Sequence, residues 1–512
     1  MGINQNSVFY HSTRLAASSV LLQLCGFFYR ILLGRLAGAQ VIAVHGLVMS
    51  AYNVVLAVTL TGIAFSVSRI AARYEALGSG GSVKRLISLS LGLFLGLFGS
   101  LALPFAYFHK EFAALILGDA DAAPALFLLI PCLFLTGFEN VHKAYFYGSG
   151  QTVPPMISEI LEMLCRIVAA LLLFRAFPDL NIPSAAALII VGMVASEIIS
   201  STFLTLCYRF QLPHLTGRDD IPRRQILNDI ADMALPVSLS TLISRMLSAA
   251  NTILIPRTLV ISGMSTEEAM EQFGLLFGMT MPLLMLPSAV LNPLITILTP
   301  RFTAAHARGQ SQEIRRKCAK GLHVVGLFAV PALCIIVGFG DFLAELLYRQ
   351  PAAASYLLPL AFNTFLGFCY IVCESVLEGI GQQKRSAVLA VVATASGVLL
   401  TLIFGGIFRL GMVGFLIGEL SSSAFGVIVS LLWVKRYTGL QFRFWNWLGI
   451  PLLSSLTSFL CVRPLFIHLC HHRVIPLLAF AFCVVLMLLL YSLLLRLLGV
   501  DYPKYLKNLL NT

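Results

Sequence analysis

The residues best suited to chemistry are two arginines set in apolar surroundings. Arg30 lies in "CGFFYRILLGRLAG" among Phe27, Phe28, Ile31, Leu32 and Leu33, and Arg245 lies in "LISRMLSAA". A guanidinium deep in a bilayer costs about 2.5–3.5 kcal/mol or more, so each needs a partner, a hydrated cavity or an anionic ligand. Arginine presents a planar fork of donors that matches phosphate. Ser19, Gln23, Gly26 and Arg30 are spaced by 4, 3 and 4 residues, which puts them on one helix face. At an offset of 222 residues stand Thr241, Arg245, Ser248 and Thr252, preceded by Ser238. The two arginines fall seven positions apart in this repeat, about 10 Å of helical rise, so they form a ladder of positive charge rather than a ring. Their neighbours Ser19, Gln23, Thr241 and Ser248 offer hydrogen bonds to phosphate or sugar.

A second group is acidic. Glu159, Glu162 and Arg166 share a face, and Glu139 and Asn140 lie in the preceding apolar segment. Glu162 and Arg166, four residues apart, can neutralise each other. The remaining acid is available to a proton, a cation or a static ion pair. The corresponding residues of the second half, at an offset of 231, are Ala390, Ala393 and Gly397, so the repeat does not itself require these charges. Glu197 and Glu419 are equivalent and read as a duplicated structural hydrogen bond. Asp232, Glu374 and Glu378, near segment ends, are weaker ion-site candidates. His468, Cys470, His471 and His472 read as a polar connection, and no metal site is expected. No nucleophile elbow, phosphate loop, HExxH or paired-cysteine motif is present, so neither an enzyme nor a bound cofactor is expected.

The elements that position these groups follow from composition. Of the 512 residues, 58% are hydrophobic and 11% charged, against about 25% charged in soluble proteins. Fourteen apolar runs are long enough to cross a bilayer, within residues 15–37, 43–70, 86–107, 122–145, 154–176, 185–208, 233–258, 274–300, 318–340, 352–377, 386–408, 411–434, 446–467 and 474–498. The chain is expected to be an all-α polytopic membrane protein whose first segment is retained rather than cleaved. An even count puts both termini on one side. Most Lys and Arg gather there, in clusters such as "RFTAAHARGQSQEIRRKCAK" and "RFQLPHLTGRDDIPRR", while "STEEAMEQ" and "DADAA" fall opposite. Both termini are therefore expected in the cytoplasm. The same rule explains the net charge of +12 without nucleic acid.

The chain repeats internally. "ILLGRLAG" (31–38) matches "ILIPRTLV" (253–260), "YGSGQ" (147–151) matches "EGIGQ" (378–382), and "VGMVASEIISSTF" (191–203) matches "VGFLIGELSSSAF" (413–425). The expected organisation is an N-lobe over residues 1–215 (segments 1–6), a C-lobe over 216–440 (segments 7–12), and residues 441–512 with two added segments and a tail. Six segments per repeat make the repeat parallel, an architecture that places a site between the halves.

"GFFYRILLGRLAG" resembles the first helix of the stage V sporulation protein B group, within the multidrug/oligosaccharidyl-lipid/polysaccharide exporter superfamily. The matching residues are Gly26, Phe27, Arg30, Ile31, Arg35 and Gly38. "MALPVSLSTLISRMLSAANTILIPRTL" is similar to that group's seventh helix, and "KAYFYGSGQTVPPMISEILEMLCRI" to its turn between helices 4 and 5. The resemblance implies an alternating-access carrier with helices 1, 2, 7 and 8 around a cavity. Related lipid II flippases carry an Arg-Asp pair where this chain has Tyr29 and Arg30, so its charge arrangement differs. Multidrug and toxin extrusion members imply coupling through acidic residues of one lobe.

The functional expectation is a flippase that moves an isoprenoid-diphosphate-linked oligosaccharide or peptidoglycan precursor to the outer leaflet. Arg30 and Arg245 would engage the diphosphate. The alternative is a proton- or sodium-coupled exporter of organic cations, working through Glu139, Glu159 and Glu162. The expected location is the cell membrane. The expected partners are the lipid-linked saccharide, membrane lipids and cell-wall or polysaccharide-synthesis enzymes.

Overall fold

Backbone N–H and C=O groups in a bilayer must be satisfied within their own segment, and the apolar runs duly form helices. The computed structural model describes residues 5–217, 219, 221–471 and 475–500, and among them no strand is present beyond one isolated bridge between Ser79 and Gly217. The main helices are α1 (Gln5–Leu56), α2 (Gly62–Ala76), α3 (Gly80–Tyr107), α4 (Ala123–Gly148), α5 (Val153–Ala176), α6 (Ile182–Gln211) and α7 (Arg223–Ile261). They continue with α8 (Thr266–Gly274), α9 (Ser288–Ala307), α10 (Ser311–Gly338), α11 (Leu357–Gly379), α12 (Gln383–Thr401), α13 (Met412–Thr438), α14 (Ile450–His471) and α15 (Pro476–Leu497). Eleven helical stretches among the described residues are long and apolar enough to cross a membrane. The chain is a multi-pass, all-helical membrane protein.

Two details of the sequence shape these helices. The first two apolar runs are joined into one long rod, and the join is a kink at Gly38, where φ 79° and ψ 173° leave the helical region. A side chain is strained in that conformation, so glycine sets the break. The helix α5 is long enough to span but carries Glu159, Glu162 and Arg166 in its middle, an arrangement that requires protein rather than lipid on that face.

The chain divides into two units. One comprises Met1–Met279 and Val398–Phe415; the other comprises Thr280–Gly397 and Leu416–Thr512. In the first, α4 packs along α6, α5 along α6, and α7 along α1 and α2. Small residues bring backbones together there. A Cβ on Gly137 of α4 would lie 1.8 Å from the buried Phe94 ring of α3, and one on Gly148 would lie 2.3 Å from the Ser68 carbonyl oxygen. In the connection after α7, Ser265 and Glu268 form a reciprocal cap on α8. The Ser265 N–H and hydroxyl hold the Glu268 carboxyl below the usual carboxylate range. In the second unit α10 packs against α11 and α14, and Tyr491 of α15 donates to the Leu327 carbonyl of α10.

Candidate functional site

Three helices of the first unit converge on a buried set of charges. Glu139 and Lys143 are one turn apart on α4, and Glu159, Glu162 and Arg166 share a face of α5. Ser196, Glu197 and Ser200 come from α6. Glu139 is 1% exposed, a position a carboxylate tolerates only when its oxygens are fully bonded. Its Oε1 accepts from the Ser158 hydroxyl at 2.6 Å and pairs with Lys143 Nζ at 3.0 Å, while Oε2 accepts from the Ser200 hydroxyl at 2.9 Å. One carboxylate thus ties α4 to both α5 and α6. Lys143 also stands 3.8 Å from Glu159 and 3.7 Å from Glu162. Arg166 pairs with Glu162, reaches Glu197 at 3.7 Å, and donates through Nε to the Ser196 hydroxyl at 3.4 Å.

The cluster holds four carboxylates, Glu139, Glu159, Glu162 and Glu197, against two cations, Lys143 and Arg166. Donor atoms of Glu139, Glu162 and Glu197 all lie within 4.8 Å of one another. Glu197 is buried, and its Oε2 has no hydrogen-bond partner. Two carboxylates offer no donor to each other, so a proton on Glu139 or Glu197 would convert that contact into a hydrogen bond. The chemistry open to this arrangement is therefore uptake of a proton or a small cation into a low-dielectric site that is short of positive charge.

The helix α1 closes over this cluster, packing against α5 and α6. Gly26, part of the polar face seen in the sequence, meets Met163 of α5, since a Cβ there would lie 3.7 Å from its Cε. Tyr29 is buried beside it. Tyr52 hydrogen-bonds Thr136 of α4 at 3.0 Å. The Nδ1 of the half-buried His45 is shielded from solvent and lacks a hydrogen bond.

The proposed phosphate-facing residues are placed differently. Arg30 on α1 and Arg245 on α7 are exposed, and neither enters an ion pair among the described residues. Gln23 and Thr241 are half-buried, and the exposed Ser248 hydroxyl donates to the Ser244 carbonyl of its own helix at 3.0 Å, leaving its lone pairs for a ligand. Higher on the same face, Ser238 abuts Gly62 of α2. The side chain of Ser19 lies outside the described residues. No described contact joins Arg30 to Arg245.

Sequence reasoning brought Glu139, Glu159, Glu162 and Arg166 forward but passed over Lys143, Ser158, Ser200 and the role of Glu197 beside Arg166. The signal for Lys143 was its position four residues after Glu139. In the second half the counterparts of Glu162 and Arg166 are uncharged and pack through backbone, while Glu374 and Glu419 stand at the positions of Lys143 and Glu197. Gly397, the counterpart of Arg166, is so close to Ser422 that a Cβ would lie 2.9 Å away, and Ser422 donates to the carbonyl of Ala393, the counterpart of Glu162, at 2.6 Å.

Comparison with known proteins supplies the context. A family described as polysaccharide biosynthesis protein matches residues 8–306, and the MatE family matches residues 246–403. Stage V sporulation protein B of Bacillus subtilis (strain 168) is 24% identical over 406 residues, 78% of this chain and 76% of that protein. The fold is similar to the inward-facing form of a multidrug resistance MATE family transporter of the MOP superfamily, with TM-score 0.69 and 18% identity over 83% of this chain and 98% of that one. It is also similar to a MOP superfamily transporter from Pyrococcus furiosus described as having a binding pocket of reversed polarity, with TM-score 0.61 and 18% identity over 84% and 95%.

Proposed function

This chain belongs to the polysaccharide biosynthesis protein family, and from that premise we propose that it is a flippase for an isoprenoid-diphosphate-linked oligosaccharide or peptidoglycan precursor. The observation that carries this reading is the pair of exposed arginines, Arg30 and Arg245, neither of them ion-paired among the described residues, on helices that otherwise read as membrane spans. Standing positive charge of this kind selects for an anionic cargo and repels a cationic one. Gln23, Thr241 and Ser248, with Ser19 on the same face, add hydrogen-bond groups for the diphosphate or its first sugar. Each negative charge moved outward across an inside-negative membrane gains about 2.3 kcal/mol per 100 mV, so voltage drives the cycle.

In this reading the chain has fourteen spans: the long first stretch counts twice, divided at Gly38, and Val153–Ala176 and the stretch 275–307 also cross. Residues 1–215 and 216–440 are the repeated lobes, 441–512 adds two spans, and both termini face the cytoplasm of a cell membrane. Cell-wall or polysaccharide-synthesis enzymes are the proteins expected to deliver or receive the cargo.

The buried carboxylate excess favours a second reading, a proton- or cation-coupled exporter of organic cations, with Glu139, Glu159, Glu162 and Glu197 as the coupling set beside Arg166. One experiment separates the two. In proteoliposomes holding a fluorescent diphosphate-linked lipid, wild type should translocate it faster under an imposed potential. Arg30→Ala and Arg245→Ala should each slow it at least tenfold at matched protein levels. Absence of lipid movement by folded wild type, together with export of a cationic dye that Glu197→Gln abolishes, would replace the flippase reading with the exporter.

A further inference from the structure

The second unit carries a basic cavity of about 1130 Å³ between the first turns of α10 and the segment 440–447 that leads into α14. Arg316 and Lys320 are one turn apart on α10 with Arg315 beside them, and Arg443, Asn446 and Trp447 face them from the other wall. The two walls are more than a hundred residues apart in sequence. They are locked together beneath the cavity, where a Cβ on Gly326 of α10 would lie 1.7 Å from the Trp447 carbonyl oxygen. Glu313 also lines the cavity, but its charge is met by Lys317 at 2.6 Å. Arg315 and Arg443 enter no ion pair among the described residues.

A basic loop by itself follows from membrane orientation. Orientation does not account for cations from two distant segments lining one cavity. The neighbouring aromatic residues set its depth: Trp447 is buried, while Phe444 and Trp445 beside it are 57% and 63% exposed. Exposed aromatic rings of this kind sit at the level of lipid headgroups.

We infer that this cavity binds the phosphate headgroup of an anionic membrane lipid, with Arg315 and Arg443 taking the phosphate oxygens from opposite walls. The site uses none of the residues assigned to cargo or coupling, so it goes beyond the flippase reading.

The test is native mass spectrometry of the full-length protein in detergent, titrated separately with phosphatidylglycerol, phosphatidylcholine and inorganic pyrophosphate. Phosphatidylglycerol should bind at least tenfold more tightly than phosphatidylcholine. The double variant Arg315→Ala/Arg443→Ala should lose at least tenfold in phosphatidylglycerol affinity, Arg315→Lys/Arg443→Lys should retain part of it, and Arg175→Ala, on α5, should change nothing. Should the alanine pair fail to fold, Arg443→Gln alone should still weaken binding severalfold. Equal phosphatidylglycerol affinity in a folded alanine or glutamine variant would overturn the inference. So would binding of pyrophosphate without the lipid, which would make the ligand a soluble anion.

Discussion

Lys143 stands within 4 Å of three carboxylates, and its side chain is only 12% exposed. Removing one partner of a buried ion pair is strongly destabilising because the other charge stays behind. Lys143→Ala should therefore cost about 3–5 kcal/mol, read as a lower midpoint of thermal unfolding in detergent. Glu197→Gln should act in the opposite direction. An amide is close in shape to the carboxylate and can donate to Glu139, which relieves the excess negative charge and satisfies an oxygen-rich contact. Stability should hold or rise, while any proton- or cation-dependent component of transport is lost. A drop in the melting midpoint of Glu197→Gln as large as that of Lys143→Ala would show that the cluster is a static scaffold that needs every charge.

At the scale of helices, the polar contacts depend on backbones held close together. Gly137 lies on α4 two residues before Glu139, and it leaves room for the fully buried Phe94 of α3. Gly137→Ala places a methyl group inside that ring, and overpacking of this sort costs about 1–3 kcal/mol. The expected result is a lower thermal midpoint that Phe94→Leu partly restores, so that the double variant is more stable than the sum of the single changes allows. Strict additivity would mean that α3 and α4 do not share this contact. The kink at Gly38 acts at the same scale, since it divides a 52-residue rod that would otherwise be more than twice as long as the bilayer core, about 30 Å, is thick.

At the scale of the whole chain, the charge asymmetry of the loops makes a topological prediction. A reporter fused after residue 500 should be cytoplasmic, and one inserted within Thr266–Gly274 should be external. Reporters on the same side would contradict the odd number of spans, seven, expected between them, and with it the cytoplasmic assignment of the C-terminus. The sequence by itself determined the helical class, the place of nearly every helix, the internal repeat and the set Glu139, Glu159, Glu162 and Arg166. Apolar run length, helical spacing and self-similarity are local properties and can be read along a line. Only the tertiary structure decided that Lys143, Ser158, Ser200 and Glu197 complete that set, that Ser422 packs on Gly397 where the first half has Arg166, and that Arg315 and Arg443 line one cavity. Those facts depend on which helix faces meet, and the meeting is set by close packing at glycines and by the cost of leaving a buried charge unpaired, neither of which has a period in the sequence.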